Sequence, residues 1–324
     1  MLAPLDAQHA IMSLSKLDCD LRVYDDYFNP GLPLVDSATI EYYIDALNPY
    51  KGCRASYEGF MKDMETFGDS KRMIEYMGDI MNSMMMFLTN HPSMIKFKLD
   101  EFRSNRERFL RTTPWKNKEK LYRPDNHFKQ FIQVKLKEPY LNMILNRCPT
   151  RSVFSGAQSW EEFVDIFDEK KCYTLRHSKQ AQSIFFNLIL GTGALTQLMS
   201  EQEIKQIATE RKWNPDDVVI VGGDEVVVKY DFDVEKELRN TLKADLYDIK
   251  IFRLVRIGSS GMYVKEHLDV LCSKVVSKEL KCVPAKNIME VIKFIEKREV
   301  EPKDRRFRDD SGRIAVYEEN MKFE

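Results

Sequence analysis

The chain has 324 residues, 43% of them apolar and 31% charged, and its fifty basic side chains nearly cancel fifty-one acidic ones. That leaves room for a real core but gives no overall attraction for nucleic acid, so a nucleic-acid partner would need a local basic surface. The six cysteines form no C-x-x-C pair, which argues against structural zinc. No apolar run reaches bilayer length, and MLAPLDAQHA lacks the basic and apolar regions of a signal peptide.

The first element, LSKLDCDLRVY at 14–24, reads as a strand with acids near its end, and the Pro/Gly loop DDYFNPGLP follows it. SATIEYYIDAL at 37–47 reads as a helix capped by Ser37 or Thr39. Residues 56–111 are helical in character; SMMMFL at 83–88 suits a core, because Met fills irregular gaps, and a basic run extends from Lys96 to Arg111. TTPWKNKEKLYRPDNHFKQ at 112–130 mixes basic and aromatic residues. That suits either a loop facing nucleic acid or a solvated connection. SWEEFVDIFD at 159–168 is a short amphipathic helix with Ser159 as its cap. A long helix covers 178–198, and another covers 200–212 with Ser200 and Glu203 at capping-box spacing.

VVIVGGDEVVVKY at 218–230 reads as a hairpin, because consecutive apolar runs flank a Gly-Asp or Asp-Glu turn. A helix over 233–246, a strand over 249–257, the turn GSSG, a second hairpin through GMYVKEHLDVL and a helix over 284–298 complete the order, and the tail after Pro302 reads as loose. The pattern predicts an α+β fold with helices on one face of an antiparallel sheet.

Two adjacent carboxylates, Asp224 and Glu225, at the tip of a buried hairpin are costly unless a cation meets them. Hard oxygen ligands suit Mg²⁺. A second carboxylate is then needed, and Asp20, read here as the end of a neighbouring strand, is the expected source. Two Mg²⁺ held between Asp20 and Asp224 would clamp the attacking and leaving oxygens of a phosphoryl transfer. The five histidines are isolated in sequence, and none is assigned to metal.

These residues resemble the palm of viral RNA-dependent RNA polymerases. Asp20-x4-Asp25 resembles motif A and GGDE at 222–225 resembles motif C, usually Gly-Asp-Asp. HSKQAQSIFFN at 177–187 resembles motif B through Ser178, Ser183 and Asn187, with Lys179 in place of the glycine and Ser183 in place of the threonine. Ser155-Gly156 offers a second Ser-Gly but lacks the Thr and Asn. The helix at 233–246 and strand at 249–257 resemble motif D, GMYVKEHLD resembles motif E, and LKCVPAKNIMEVI resembles the entry to a thumb. The subgroup most similar in impression is the polymerases of double-stranded RNA viruses.

The resemblance implies a palm with a helical insertion and a partial thumb. It divides the chain into 1–55 (first palm strand and helix), 56–150 (helical and basic insertion), 151–275 (palm core) and 276–324 (thumb start and tail). It implies catalytic roles for Asp20, Asp224 and Glu225, with Mg²⁺ or Mn²⁺ on Asp20 and Asp224. It implies nucleotide contacts by Asp25, Ser178, Asn187 and Lys265, with Lys250 or Lys265 protonating the pyrophosphate. The implied partners are RNA template and nascent strand, nucleoside triphosphates, and a separate fingers polypeptide or viral capsid proteins; the implied location is host cytoplasm or virion. Only nineteen residues precede Asp20 and they hold one lysine, Lys16, so a fragment or split polymerase that extends no primer alone is expected. GGDE is also similar to diguanylate cyclases and to the GGDD palms of CRISPR effectors, and a palm-shaped module without activity is a third alternative.

Overall fold

The computed structural model describes residues 16–96, 120–147, 151–190, 203–259, 261–269, 273–308 and 314–316. Most of the basic stretch from Lys96 to Arg111, the aromatic loop up to Glu119, the end of the long helix after Leu190, Ser200, and most of the tail after Arg308 lie outside them.

The chain begins with four helices: α1 (Lys16–Phe28), α2 (Ile40–Lys51), α3 (Arg54–Phe67) and α4 (Ser70–Thr89). The strand expected over 14–24 is therefore a helix. Leu17, Leu21, Tyr24 and Phe28 recur at helical spacing, and Leu21 and Tyr24 are completely buried. Residues 40–51 form the expected helix, ended by Gly52 in the left-handed conformation, with its N–H on the carbonyl of Asn48. Asp69 caps α4 by accepting from the Arg72 amide. Along α4, Met73, Met77, Met84 and Leu88 form a buried stripe, whereas Met86 is exposed, so the methionine-rich piece serves the core through one face only.

Six strands form one antiparallel sheet in the order β2-β3-β1-β4-β5-β6: β1 (Gln130–Leu136), β2 (Val218–Gly222), β3 (Glu225–Lys229), β4 (Tyr247–Ile257), β5 (Met262–Leu268) and β6 (Val275–Lys281). The hairpin, the strand near 249–257 and the second hairpin stand where the sequence places them. Sequence reading names no element for β1, yet β1 is central, paired with β3 on one side and β4 on the other. Short helices (Pro139–Arg147, Trp160–Asp165, Tyr173–His177) and the helix Lys179–Leu190 lie between β1 and β2, and the helix Phe232–Thr241 lies between β3 and β4. Ser159 caps its helix as expected, through the Glu162 amide. The 232–241 helix is capped by Asp231 and begins one residue before the expected Asp233.

Alternation along each strand sorts the sheet into two faces. Ile132, Val134, Leu136, Val226, Val228 and Val264 join the helices in one core that runs from Leu21 to Ile292. The opposite face carries a small cluster of Phe131, Val227, Phe252, Leu254 and Tyr263, covered by Leu121 and Tyr122. Beside it the same face is charged. No helix of the described residues is long and apolar enough to cross a membrane.

Candidate functional site, a charged cleft at the hairpin tip

The β2–β3 hairpin turns on Gly223 and Asp224, with Gly222 paired to Glu225. Gly223 has φ of 58° while Asp224 is not left-handed, the arrangement of a type II′ turn, which favours glycine at its first position. This fixes Asp224 at the tip. The Leu136 amide donates to the Asp224 carbonyl at 2.8 Å, so β1 runs alongside as far as the turn.

Pleating sets the neighbours. Glu225, Lys135 and Asp248 lie in one cross-strand row on the charged face, and Gln133 and Lys250 are opposite each other in the next. Lys135 Nζ is 3.5 Å from Asp224 Oδ2, Gln133 Nε2 donates to Glu225 Oε2, and Lys250 Nζ is 3.0 Å from Asp248 Oδ2. Each of these carboxylates thus meets a cation or donor of the sheet itself.

These residues open into a cleft of about 1980 Å³. Its opposite wall comes from the end of α1, including Asp25, and from the start of the 179–190 helix, including Lys179 and Ser183. Lys265, Glu279 and Lys281 from β5 and β6 extend the floor. Lys265 is 2% exposed and lies 4.6 Å from the centre of the Phe252 ring. Burial lowers its pKa against the opposing pull of Glu225, and burial likewise lowers that of Lys179, with Lys135 adding repulsion. Glu279 is held well below the usual carboxylate range, first by its hydrogen bond with His267 and, against burial, by Lys281. Amines weakened by burial and mutual repulsion are poised to gain from an anion.

The remaining expected site residues divide. Asp20 does not line this cleft: it is 6% exposed on α1, and its Oδ1 accepts the Ser70 amide at 2.8 Å. Asp25 does line it. Its carboxyl is pushed up to about 6, chiefly by burial and then by Asp26, and its Oδ1 is buried without a partner. Ser178 is buried and is an N-cap: its hydroxyl donates to the Tyr27 carbonyl at 2.6 Å and accepts from the Ala181 amide at 3.1 Å. Asn187 is exposed and does not line the cleft, so it is not brought to Asp25. Lys250 stands on the floor, paired with Asp248.

Gln133, Lys135, Glu279 and Lys281 are the residues sequence reading missed. The signal for the first two was the alternation in FIQVKL just before Glu138-Pro139, which puts Ile132, Val134 and Leu136 on one face and Gln133 and Lys135 on the other.

For a divalent cation the donors around the hairpin tip are Asp224, Glu225 and Asp248, each with one oxygen already engaged, by Lys135, Gln133 and Lys250. The described residues hold no cluster of three or more acidic, histidine or cysteine side chains suited to a metal. Carboxylates engaged in this way beside several ammonium groups do not make a two-metal centre by themselves. Compared with protein-family models, curated proteins and solved structures, the chain matches none.

Proposed function

We propose that this chain is a palm-type module of an RNA-directed RNA polymerase, one that binds RNA and nucleoside triphosphates in its cleft and does not transfer nucleotides alone. One observation carries the reading. An acidic hairpin tip opens into a cleft lined by lysines and carboxylates beside a central strand, and Lys135 of that strand lies against Asp224. Connectivity supports it: β1, helices, β2–β3, a helix and β4, with β1 between β3 and β4. Many binding domains share such a sheet, so the weight rests on the tip and its surroundings. Lys179 and Lys265 are the groups for phosphate oxygens, since an ammonium offers three donors and no acceptor.

The test pairs binding with chemistry. A labelled single-stranded RNA should bind with an affinity that falls steeply with salt. Lys265→Met and Lys179→Met should each weaken it by about tenfold, the scale of one charge-assisted contact. Primer extension by the purified chain with Mg²⁺ or Mn²⁺ should give no product. RNA binding that ignores both lysines, or extension by the chain alone, would overturn the proposal.

A further inference from the structure

We infer that the ammonium of Lys135 does for the hairpin carboxylates what a divalent cation would do elsewhere, so that the cleft takes a phosphate-bearing ligand without a metal ion. The ligand half of this inference rests on the cleft being a phosphate site, as proposed above; the metal half rests on the placement of Lys135 against the hairpin carboxylates.

Three features of the sheet lead to it. Lys135 projects from the central strand between two acids of its own row, Glu225 on β3 and Asp248 on β4, and its Nζ is 3.5 Å from Asp224 Oδ2. The other acids of the row are engaged too, Glu225 by Gln133 and Asp248 by Lys250. The register fixes this arrangement: moving Lys135 off the row would mean slipping β1 by one residue, which would turn Ile132, Val134 and Leu136 out of the core.

A cation that uses Asp224 Oδ2 must displace the ammonium or share that oxygen, and one that binds through both carboxylate oxygens must do the same. Mg²⁺ demands near-octahedral oxygen ligands at about 2.0–2.1 Å, and a protonated lysine can be none of them. Lys179 stands across the cleft, and its amine feels both Lys135 and Asp224. At Asp224 a divalent ion would meet the Lys135 ammonium at close range, with Lys179 across the cleft. A phosphate oxygen at the hairpin end meets donors, because Lys135, Lys179 and Lys265 line this part of the cleft and the row carboxylates Glu225 and Asp248 are engaged by Gln133 and Lys250. The ligand class is therefore a phosphate chain or phosphodiester strand.

Two measurements test this on the full chain. In the first, Mn²⁺ is titrated into the wild type, Lys135→Ala and Lys135→Ala/Asp224→Asn while the melting temperature and the heat of binding are followed. Lys135 is 41% exposed, so truncating it leaves the core intact. The wild type should not respond to millimolar Mn²⁺, Lys135→Ala should gain a saturable response, and the double variant should lose that gain. A saturable response of the wild type to millimolar Mn²⁺, or no gain in Lys135→Ala, would overturn the inference. In the second, tripolyphosphate and ATP are titrated in EDTA and in Mg²⁺. The dissociation constants should agree within about twofold, and Lys135→Ala should weaken both by about tenfold, the scale of one charge-assisted contact. Binding that requires Mg²⁺ would overturn the inference and leave the phosphate site standing. No binding in either buffer would overturn both.

Discussion

At the scale of single residues, Asp25 is the side chain most at odds with its surroundings. It ends up in the cleft wall with one carboxyl oxygen buried and unpartnered, and its pKa is raised from 3.8 to about 6, first by burial and then by Asp26. The sign follows from linkage. A folded-state pKa above the unfolded one means the folded state holds the proton more tightly. The ionised group therefore costs nothing below pH 3.8, and its cost grows as pH rises and is complete above about 6. Asp25→Asn should stabilise the protein at pH 7.5 by about 1–2 kcal/mol, allowing for screening at the cleft mouth. The gain should vanish near pH 4. Urea titrations at the two pH values check this, and an equal gain at both would mean that packing, not charge, sets the difference.

At the scale of elements, α3 shows how tightly the helical layer is specified. Asp63 near its end is 4% exposed and accepts the Tyr173 amide at 2.8 Å, the Thr174 amide at 2.7 Å and the Thr174 hydroxyl at 2.7 Å, so it caps the 173–177 helix from a distance. One turn earlier, a Cβ on Gly59 would lie 2.3 Å from the Tyr173 ring. Two effects oppose each other in Gly59→Ala. Helix propensity favours alanine by about 1 kcal/mol, whereas overpacking costs about 1–3 kcal/mol or more. The ring body cannot step aside as a flexible chain end would, so overpacking wins and the melting temperature should fall; a rise would show that the two helices part freely. Asp63→Ala should cost about 3 kcal/mol, because it strands buried donors that now meet a carboxylate.

Distant caps of this kind are invisible in sequence, whereas Ser159, which caps its own helix, was legible. The same distinction explains the larger outcomes. The β2–β3 hairpin could be read because its turn residues and strands are contiguous. Asp20 was expected at the end of a strand, but Leu17, Leu21, Tyr24 and Phe28 recur at helical spacing and put it on α1. β1 went unread because seven residues with two polar side chains give a weak signal, and it is recognisable chiefly by pairing with β3 and β4. The hairpin acids Asp224 and Glu225 and the lysines Lys250 and Lys265 were therefore foreseen, whereas Gln133, Lys135, Asp248, Glu279 and Lys281 were not.

At the scale of the whole molecule, the sequence suggested parts, whereas the core joins them. Residues of α1–α4, the later helices and the sheet belong to one buried cluster from Leu21 to Ile292. Polar ties follow the same long path: Ser178 to the Tyr27 carbonyl, the Tyr42 hydroxyl to Asp304, and the Tyr43 hydroxyl to the Lys303 carbonyl at 3.2 Å. Without α1–α4, the 173–177 helix would lose its cap from Asp63, and Phe185 and Phe186 would lose part of the core they share with Tyr24 and Phe60. The sheet would keep its backbone pairing but lose much of the layer that covers its apolar face. Secondary structure would then survive while fixed packing would not, the condition that yields a compact, fluctuating state. A chain that starts at residue 120 should show substantial far-ultraviolet dichroism, weak near-ultraviolet dichroism and strong binding of an apolar dye. Adding residues 16–96 as a separate polypeptide should restore the near-ultraviolet signal and RNA binding together, since Asp25 and Lys179 line one wall only when α1 packs beside the 179–190 helix. Native-like near-ultraviolet dichroism from the shortened chain alone would mean that the sheet and later helices fold as an independent unit, and that the helical layer is an addition to the cleft and not part of its construction.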